Sequence, residues 1–240
     1  MALIEIEKLV KLYGYVPALR GIDLTVERGE CVTVIGANGS GKSTLIRLLC
    51  GLSKPTSGSI RIGGWTIPGE AESVRAQIGL VAHKPLLYEG LTGRENLTFF
   101  ARLYGAKPDR VDAMLERVGL SKRAGDPART YSRGMMQRLS LARALLHEPD
   151  VLLFDEPYTG LDADSSATLD AIIMESRAEG RTLMMALHDF ERAARLSSRI
   201  IVLARGEVAH DSAQRGAVAD AAALAAIYAA AGESAGVTTP

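Results

Sequence analysis

The stretch G-A-N-G-S-G-K-S, Gly36 to Ser43, decides the fold. It fits G-x-x-x-x-G-K-[ST], a loop whose glycines let consecutive backbone N–H groups close around phosphate oxygens. Gly36, Asn38, Gly39, Ser40 and Gly41 supply the cradle, Lys42 reaches the outer phosphates, the Ser43 hydroxyl ligates Mg²⁺, and Thr44 completes the turn into the helix. Cys31 to Ile35, just before it, is a short apolar run rich in β-branched residues and predicts a buried strand. Leu45, Ile46, Leu48 and Leu49, just after it, predict a largely buried helix whose N-terminus faces the anion. A glycine-rich match alone also fits a plain turn; the Lys-Ser-Thr that follows argues against that reading.

Two more segments carry chemistry. Val151 to Phe154 predicts a buried strand ending in Asp155 and Glu156, a Mg²⁺-facing carboxylate followed by one able to polarise water. Y-S-R-G-M-M-Q, Tyr131 to Gln137, opens a helix whose Leu139, Ala142, Leu145 and Leu146 form a packing stripe.

With these three segments in this order, the chain from Ile4 to Ser212 resembles the ATP-binding subunits of ABC transporters. The resemblance implies an α/β P-loop NTPase core with an antiparallel β subdomain and an inserted helical subdomain. It implies ATP and Mg²⁺ as ligands, Glu156 as general base, and a homodimer in which ATP lies between the P-loop of one protomer and the signature segment of the other. The signature, L-S-G-G-Q in most of the family, reads Tyr131, Ser132, Arg133, Gly134, Met135; Ser132 and Gly134 keep the hydroxyl and bare backbone for the γ-phosphate. Asp162, in T-G-L-D, matches the loop that communicates across the dimer. His188 follows the apolar strand Thr182 to Leu187, about thirty residues after Glu156, and matches the histidine that contacts the γ-phosphate. Tyr13, in K-L-Y-G, matches the ring that stacks on adenine, although Tyr15 is nearby and either ring can pack on the sheet. The family's glutamine after the strand I-G-L-V-A is absent: His83, Lys84 and Pro85 follow instead.

Composition agrees with a nucleotide-driven machine. In 240 residues, 47% apolar content supports one α/β core with a helical lobe, and 28 basic against 28 acidic residues give no bulk attraction for nucleic acid. Cys31 and Cys50 lie in apolar settings with no C-x-x-C spacing, which predicts a reduced protein without a thiol metal site. Met1 leads directly into the alternating Ile4, Glu5, Ile6, Glu7, with no signal-peptide pattern. The longest apolar stretch, Ala221 to Ala231, is too short to cross a bilayer. The expected partner is therefore an integral membrane permease, and the expected location the cytoplasmic face of the inner membrane, with membrane contact only through that permease.

The pattern divides into a core over 1–82 and 151–212, a helical subdomain over 83–150, and an Ala-rich tail over 213–240. Strands are predicted at Ile4 to Leu9, Gly21 to Val26 and Ser59 to Trp65, and a hairpin through Arg205-Gly206. Thr92 and Glu95 form a T-x-x-E box before one helix, and Val111, Met114, Leu115 and Val118 mark the next. The tail has helical propensity but only Val218, Leu224, Ile227 and Tyr228 to pack it.

Ala82 to Gly105 and Tyr131 to Arg138 resemble the haem-exporter ATPases of bacterial cytochrome c maturation (the CcmA type), which implies haem export as the transport step. Related exporters of drugs or polysaccharides share these features, and a soluble ABC ATPase of iron–sulfur assembly is a further alternative. A nucleotide-binding regulator without hydrolysis is disfavoured by Glu156 and His188. In the resemblance, the face carrying Leu86, Leu87 and Tyr88 receives the coupling helix of the membrane subunit.

Overall fold

The computed structural model describes residues 1–216, 218 and 220–234. Strands β1 (Ala2–Tyr13), β2 (Val16–Glu27), β4 (Ser57–Ile62) and β5 (Trp65–Ile67) form a four-stranded antiparallel sheet in the order β2-β1-β4-β5. A second sheet of six strands runs β10-β9-β3-β8-β7-β6, with β3 (Cys31–Ile35), β6 (Ile78–Val81), β7 (Val151–Asp155), β8 (Thr182–Leu187), β9 (Arg199–Ala204) and β10 (Glu207–Asp211). Only the edge strand β10 is antiparallel to its neighbour. A mainly parallel sheet needs both faces covered, so its strands are buried runs rather than alternating ones; β3, β7 and β8 are buried at every position.

The two faces feed two cores. On one, Val32, Val34, Leu153 and Met184 pack with helix α1 (Lys42–Leu49) and the antiparallel sheet, so α1 lies sandwiched between sheets. On the other, Ile35, Leu152, Phe154 and Met185 meet the helices α3 (Gly93–Tyr104), α4 (Asp109–Arg117), α5 (Arg133–Leu145), α6 (Ala163–Ala178) and α7 (Phe190–Leu196). The short helix α2 (Ala71–Ala76) precedes β6. No helix among the described residues is long and apolar enough to cross a membrane.

Several expectations are met. The capping box closes at α3: the Glu95 amide donates to Thr92 Oγ1 at 3.1 Å, and the Thr92 amide donates to Glu95 Oε2 at 2.8 Å. Val111, Met114, Leu115 and Val118 are buried, and the β9–β10 hairpin turns at Arg205-Gly206. The strand expected over Ser59 to Trp65 is instead two. Gly63 and Gly64 take φ of +57° and +90°, the left-handed pair that makes a two-residue hairpin turn, and divide β4 from β5. The first two strands also run longer than expected, to twelve residues each. Beyond the short helix α8 (Ser212–Arg215), the Ala-rich tail forms helix α9 (Ala221–Ser234). Its sparse apolar residues suffice: Leu224 is fully buried, Val218, Ile227 and Tyr228 pack on the larger core, and the Tyr228 ring meets Phe190 at 5.3 Å. Residues 217, 219 and 235–240 of the tail lie outside the described residues. Both cysteines are free, and burial pushes the Cys31 thiol up to about 11 and the Cys50 thiol up to about 12, so neither is a thiolate at neutral pH.

Candidate functional site

The parallel strands deliver the chemistry to one edge of the sheet, because β3, β6, β7 and β8 all end on the same side. The loop after β3 is Gly36 to Ser43, and its glycines are obligatory in different ways. A Cβ on Gly36 would lie 2.3 Å from Ser40 Oγ and 2.5 Å from the Leu203 carbonyl; one on Gly41, at φ +109°, would strike Leu19 and the Ala18 carbonyl. The loop is clamped by its neighbours: the Gly206 amide donates to the Ser40 carbonyl at 3.0 Å. Asn38 and Gly39 are exposed at its tip, while Thr44 is half-buried in the first turn of α1.

Lys42 is buried and folds back, its Nζ donating to the carbonyls of Gly36 at 2.8 Å and Ala37 at 3.1 Å. Burial holds its pKa below the ordinary lysine value, against the opposing pull of Glu156 and Asp155. Two carbonyls are weak partners for an ammonium group, so an incoming phosphate finds a cation held in place with no competing salt bridge among the described residues. Ser40 Oγ is buried with no partner among the described residues.

From α1, Ser43 Oγ donates to Asp155 Oδ1 of β7 at 2.6 Å. A hydroxyl and a carboxylate converging here suit a hard cation that also takes phosphate oxygens. No group of three or more His, Cys, Asp or Glu among the described residues could hold a metal alone. The next residue, Glu156, has φ +52°, a strained left-handed backbone for a side chain of this size. Its amide donates to the Ala186 carbonyl at 3.1 Å, and its Oε1 meets His188 Nε2, from the end of β8, at 2.8 Å. Glu156 and His188 thus form one unit at the sheet edge.

Ser132 and Gly134 lie elsewhere. Ser132 is the N-cap of α5, its Oγ accepting from the Met135 amide at 3.2 Å; Asp162 is the N-cap of α6, its Oδ1 accepting from the Ser165 amide at 2.8 Å. That hydrogen bond holds the Asp162 carboxyl below the usual aspartate range. Gly134 joins the two caps, since it abuts Ser165 of α6. No side-chain hydrogen bond ties Ser132 to the P-loop among the described residues. Tyr13, at the tip of the β1–β2 hairpin, is half-exposed with Lys11 Nζ 5.0 Å above its ring, whereas Tyr15 is fully exposed. His83 is exposed in the loop after β6.

Sequence reasoning gave no role to Gln137. Its Nε2 donates to the Pro157 carbonyl at 2.9 Å in a buried bond, linking α5 to the residue after Glu156. Its position at the end of the Tyr131 to Gln137 run was the only sequence signal.

Residues 19–159 match the ABC transporter family model. This chain belongs to the ABC transporter ATP-binding family. Among curated relatives of this ATPase, the ABC transporter ATP-binding protein NatA of Bacillus subtilis (strain 168) is 36% identical over 203 residues, covering 82% of each chain. The daunorubicin resistance ATP-binding protein DrrA3 of Streptomyces coeruleorubidus is 40% identical over 209 residues, 85% of this chain and 66% of that protein. Among solved structures, a dimeric ATP-binding cassette in a post-hydrolysis state bound to ADP and Pi superposes with a TM-score of 0.80 at 28% identity, covering 87% of this chain and 97% of that one. The fold is that of an ABC ATPase, and the enzyme binds ATP and hydrolyses it to power transport.

Proposed function

We propose that this ATPase drives an exporter of small molecules other than haem, docking on a separate integral membrane permease at the cytoplasmic face of the membrane. The observation carrying this reading is the 40% identity to a daunorubicin resistance ATP-binding protein, supported by 36–38% identity to Nod factor export ATP-binding proteins of several bacteria. The haem-export expectation rested on Ala82 to Gly105 and Tyr131 to Arg138, and these segments have weaker support because the relatives above carry drug-resistance and Nod factor names.

Within the site, Gly36 to Thr44 bind the phosphates, with Lys42 swinging from its two carbonyls to the outer phosphate oxygens. Ser43 and Asp155 would hold Mg²⁺, which supplies charge neutralisation on the phosphates. Glu156 orients and deprotonates the attacking water, and His188, hydrogen-bonded to it, holds that carboxylate in place while facing the γ-phosphate. Tyr13 offers a ring face to adenine. Ser132, Gly134 and Asp162 act on the nucleotide of a second copy of the chain. Within one protomer the Ser132 and Asp162 side chains bond to the amides of their own helices, with no side-chain hydrogen bond to the P-loop among the described residues, which supports this, and a dimer is the state of the ADP-bound neighbour.

Docking is supported by a cluster of exposed apolar side chains beside the helical lobe. Leu52, Leu86 and Leu103, each more than a third exposed, line a groove of about 750 Å³ whose wall includes Arg143 and His147, and the exposed rings of Tyr88 and Phe99 pack on each other at 5.1 Å on the same lobe. The test is gene deletion complemented by wild type or Glu156→Gln. Small-molecule export predicts hypersensitivity to toxic apolar compounds in the deletion and in Glu156→Gln, with normal covalent haem in c-type cytochromes. Normal resistance together with haem-free apocytochromes would overturn the reading in favour of haem export. Failure to cofractionate with membranes would instead favour a soluble ATPase of the iron–sulfur assembly kind.

A further inference from the structure

The loop that carries Glu156 and the loop that carries His188 are joined twice. The first junction is direct, between Oε1 of Glu156 and Nε2 of His188 at 2.8 Å. The second lies behind it and uses residues with no role in the site described above. Tyr158, two positions after Glu156, donates its hydroxyl to Asp170 Oδ1 of α6 at 2.6 Å. Asp170 is largely buried; the Arg195 guanidinium of α7 donates to its other oxygen, and Arg192 of the same helix stands beside it as an ion pair, Nε 3.6 Å from Oδ1, too long for a hydrogen bond. Arg192 then returns to the histidine loop: its Nη1 donates to Asp189 Oδ2 at 2.8 Å, and its amide donates to Asp189 Oδ1 at 2.9 Å. Asp189 is the residue after His188 and the N-cap of α7. The Arg192 guanidinium also stacks 4.5 Å from the centre of the Tyr158 ring.

The path runs from Glu156 along the chain to Tyr158, across to Asp170 and Arg192, into Asp189 and back along the chain to His188. Such a ring has a physical consequence. His188 is nearly half-exposed and follows the last residue of β8, so its hydrogen bond to Glu156 does not alone determine where the imidazole sits. The turn at Asp189 does the rest, and that turn is fixed by a charge-assisted network in a partly buried setting, where such bonds are stronger than at a free surface. Glu156 is held at φ +52°, a conformation that persists only when its surroundings over-determine it. The Tyr158 anchor two residues later provides part of that constraint.

We propose that Tyr158 is a positioning residue for hydrolysis: through Asp170 and Arg192 its hydroxyl sets the Asp189 turn and so keeps His188 in register with Glu156. The inference rests on Glu156 and His188 acting together in hydrolysis. Tyr158→Phe deletes only the hydroxyl and retains the ring under Arg192.

The experiment is a double-mutant cycle on the full chain with Mg-ATP, comparing wild type, Tyr158→Phe, His188→Ala and the pair, with radiolabelled ATP for the slow variants. Tyr158→Phe is expected to lower kcat roughly tenfold, with KM for ATP within about twofold of wild type, because a charge-assisted hydrogen bond is lost away from the nucleotide. In the His188→Ala background the same substitution is expected to change kcat less than about twofold, since the side chain it positions is gone. A tyrosine that merely stabilises the fold would lower activity by the same factor in both backgrounds, and that additivity overturns the proposal. Full activity of Tyr158→Phe beside an impaired His188→Ala also overturns it and leaves the histidine assignment standing. Wild-type turnover of His188→Ala would remove the assignment itself, and the proposal with it.

Discussion

Replacing Gly134 by alanine puts a methyl group where the structure has no room for one. The new Cβ would lie 2.0 Å from Ser165 Oγ, 2.9 Å from Ser165 Cβ and 3.8 Å from Asp162 Oδ1. Rotating the Ser165 hydroxyl relieves the first contact. The second involves an atom fixed on the backbone of α6, well inside the roughly 3.5 Å at which carbon contacts become favourable. The first turn of α6 must therefore move, and with it the Asp162 cap. Overpacking of this kind costs about 1–3 kcal/mol, while alanine in place of glycine within a helix returns about 1 kcal/mol. Because a backbone-fixed atom takes the clash, the net effect falls near 2 kcal/mol, a drop in Tm of about 4–8 °C for a chain of this size. Thermal unfolding followed by circular dichroism measures it. Ser165→Gly removes both offending atoms, so Gly134→Ala combined with Ser165→Gly should recover most of the lost Tm relative to Ser165→Gly alone. An unchanged or raised Tm in Gly134→Ala, or a loss that Ser165→Gly leaves untouched, refutes the packing argument.

Two further outcomes follow from the site and the sheet edge. Glu156→Gln keeps the shape of the side chain and removes its basicity, so phosphate release should fall by roughly 10²–10⁴ while ATP still binds, and light scattering should show ATP-driven dimers accumulating; near-normal turnover would remove Glu156 as the base. Arg199 and Asp211 form a buried two-pronged pair, Nε to Oδ1 at 2.8 Å and Nη2 to Oδ2 at 2.6 Å. Burial pushes the Asp211 carboxyl up, but the Arg199 fork and the Ala213 amide together hold it below the usual aspartate range. A carboxyl with a depressed folded pKa contributes stability that is complete above its unfolded value, about 3.9, and is lost as pH falls through the folded value. Asp211→Asn should therefore cost about 3–5 kcal/mol at neutral pH and progressively less below about pH 4 in denaturant titrations; a difference that is constant from pH 7 to pH 3 would contradict the linkage.

What the sequence revealed and what it hid divide along physical lines. Gly36 to Ser43, the apolar strands ending at Asp155 and Leu187, and the Thr92 box are local: each is a run of adjacent residues whose backbone chemistry forces one conformation. The Gly63-Gly64 turn was just as local, but it falls within a continuous β-like pattern, and the hairpin emerges only from the left-handed φ at both glycines. Tail helix α9 was legible as propensity alone, because whether four apolar residues suffice depends on the partners they meet on α7, β9 and β10. Tyr158, Asp170 and Arg192 could not be found at all. Their spacings match no helix or strand period shared among them, and each looks like an ordinary surface polar residue until the fold brings α6 and α7 together behind the loop that carries Glu156.

The eleven residues from Asp155 to Ser165 join two parts of the site. They begin at the carboxylate that accepts from Ser43 and end at the serine that abuts Gly134, so they span from the proposed hydrolytic cluster to the signature helix. They are not slack between those points. Thr159 donates to the Glu156 carbonyl at 3.3 Å and Leu161 to the Tyr158 carbonyl at 3.1 Å, while Gln137 grips Pro157 and Asp162 caps α6. A chain segment held at this many points moves as a unit or does not move. In a dimer that places Ser132 and Gly134 against the nucleotide of the other protomer, a displacement at Glu156 on phosphate loss would therefore reach Gly134 through one turn-rich segment. The signature of one site would then be released by hydrolysis at the other, with no long-range conformational wire required.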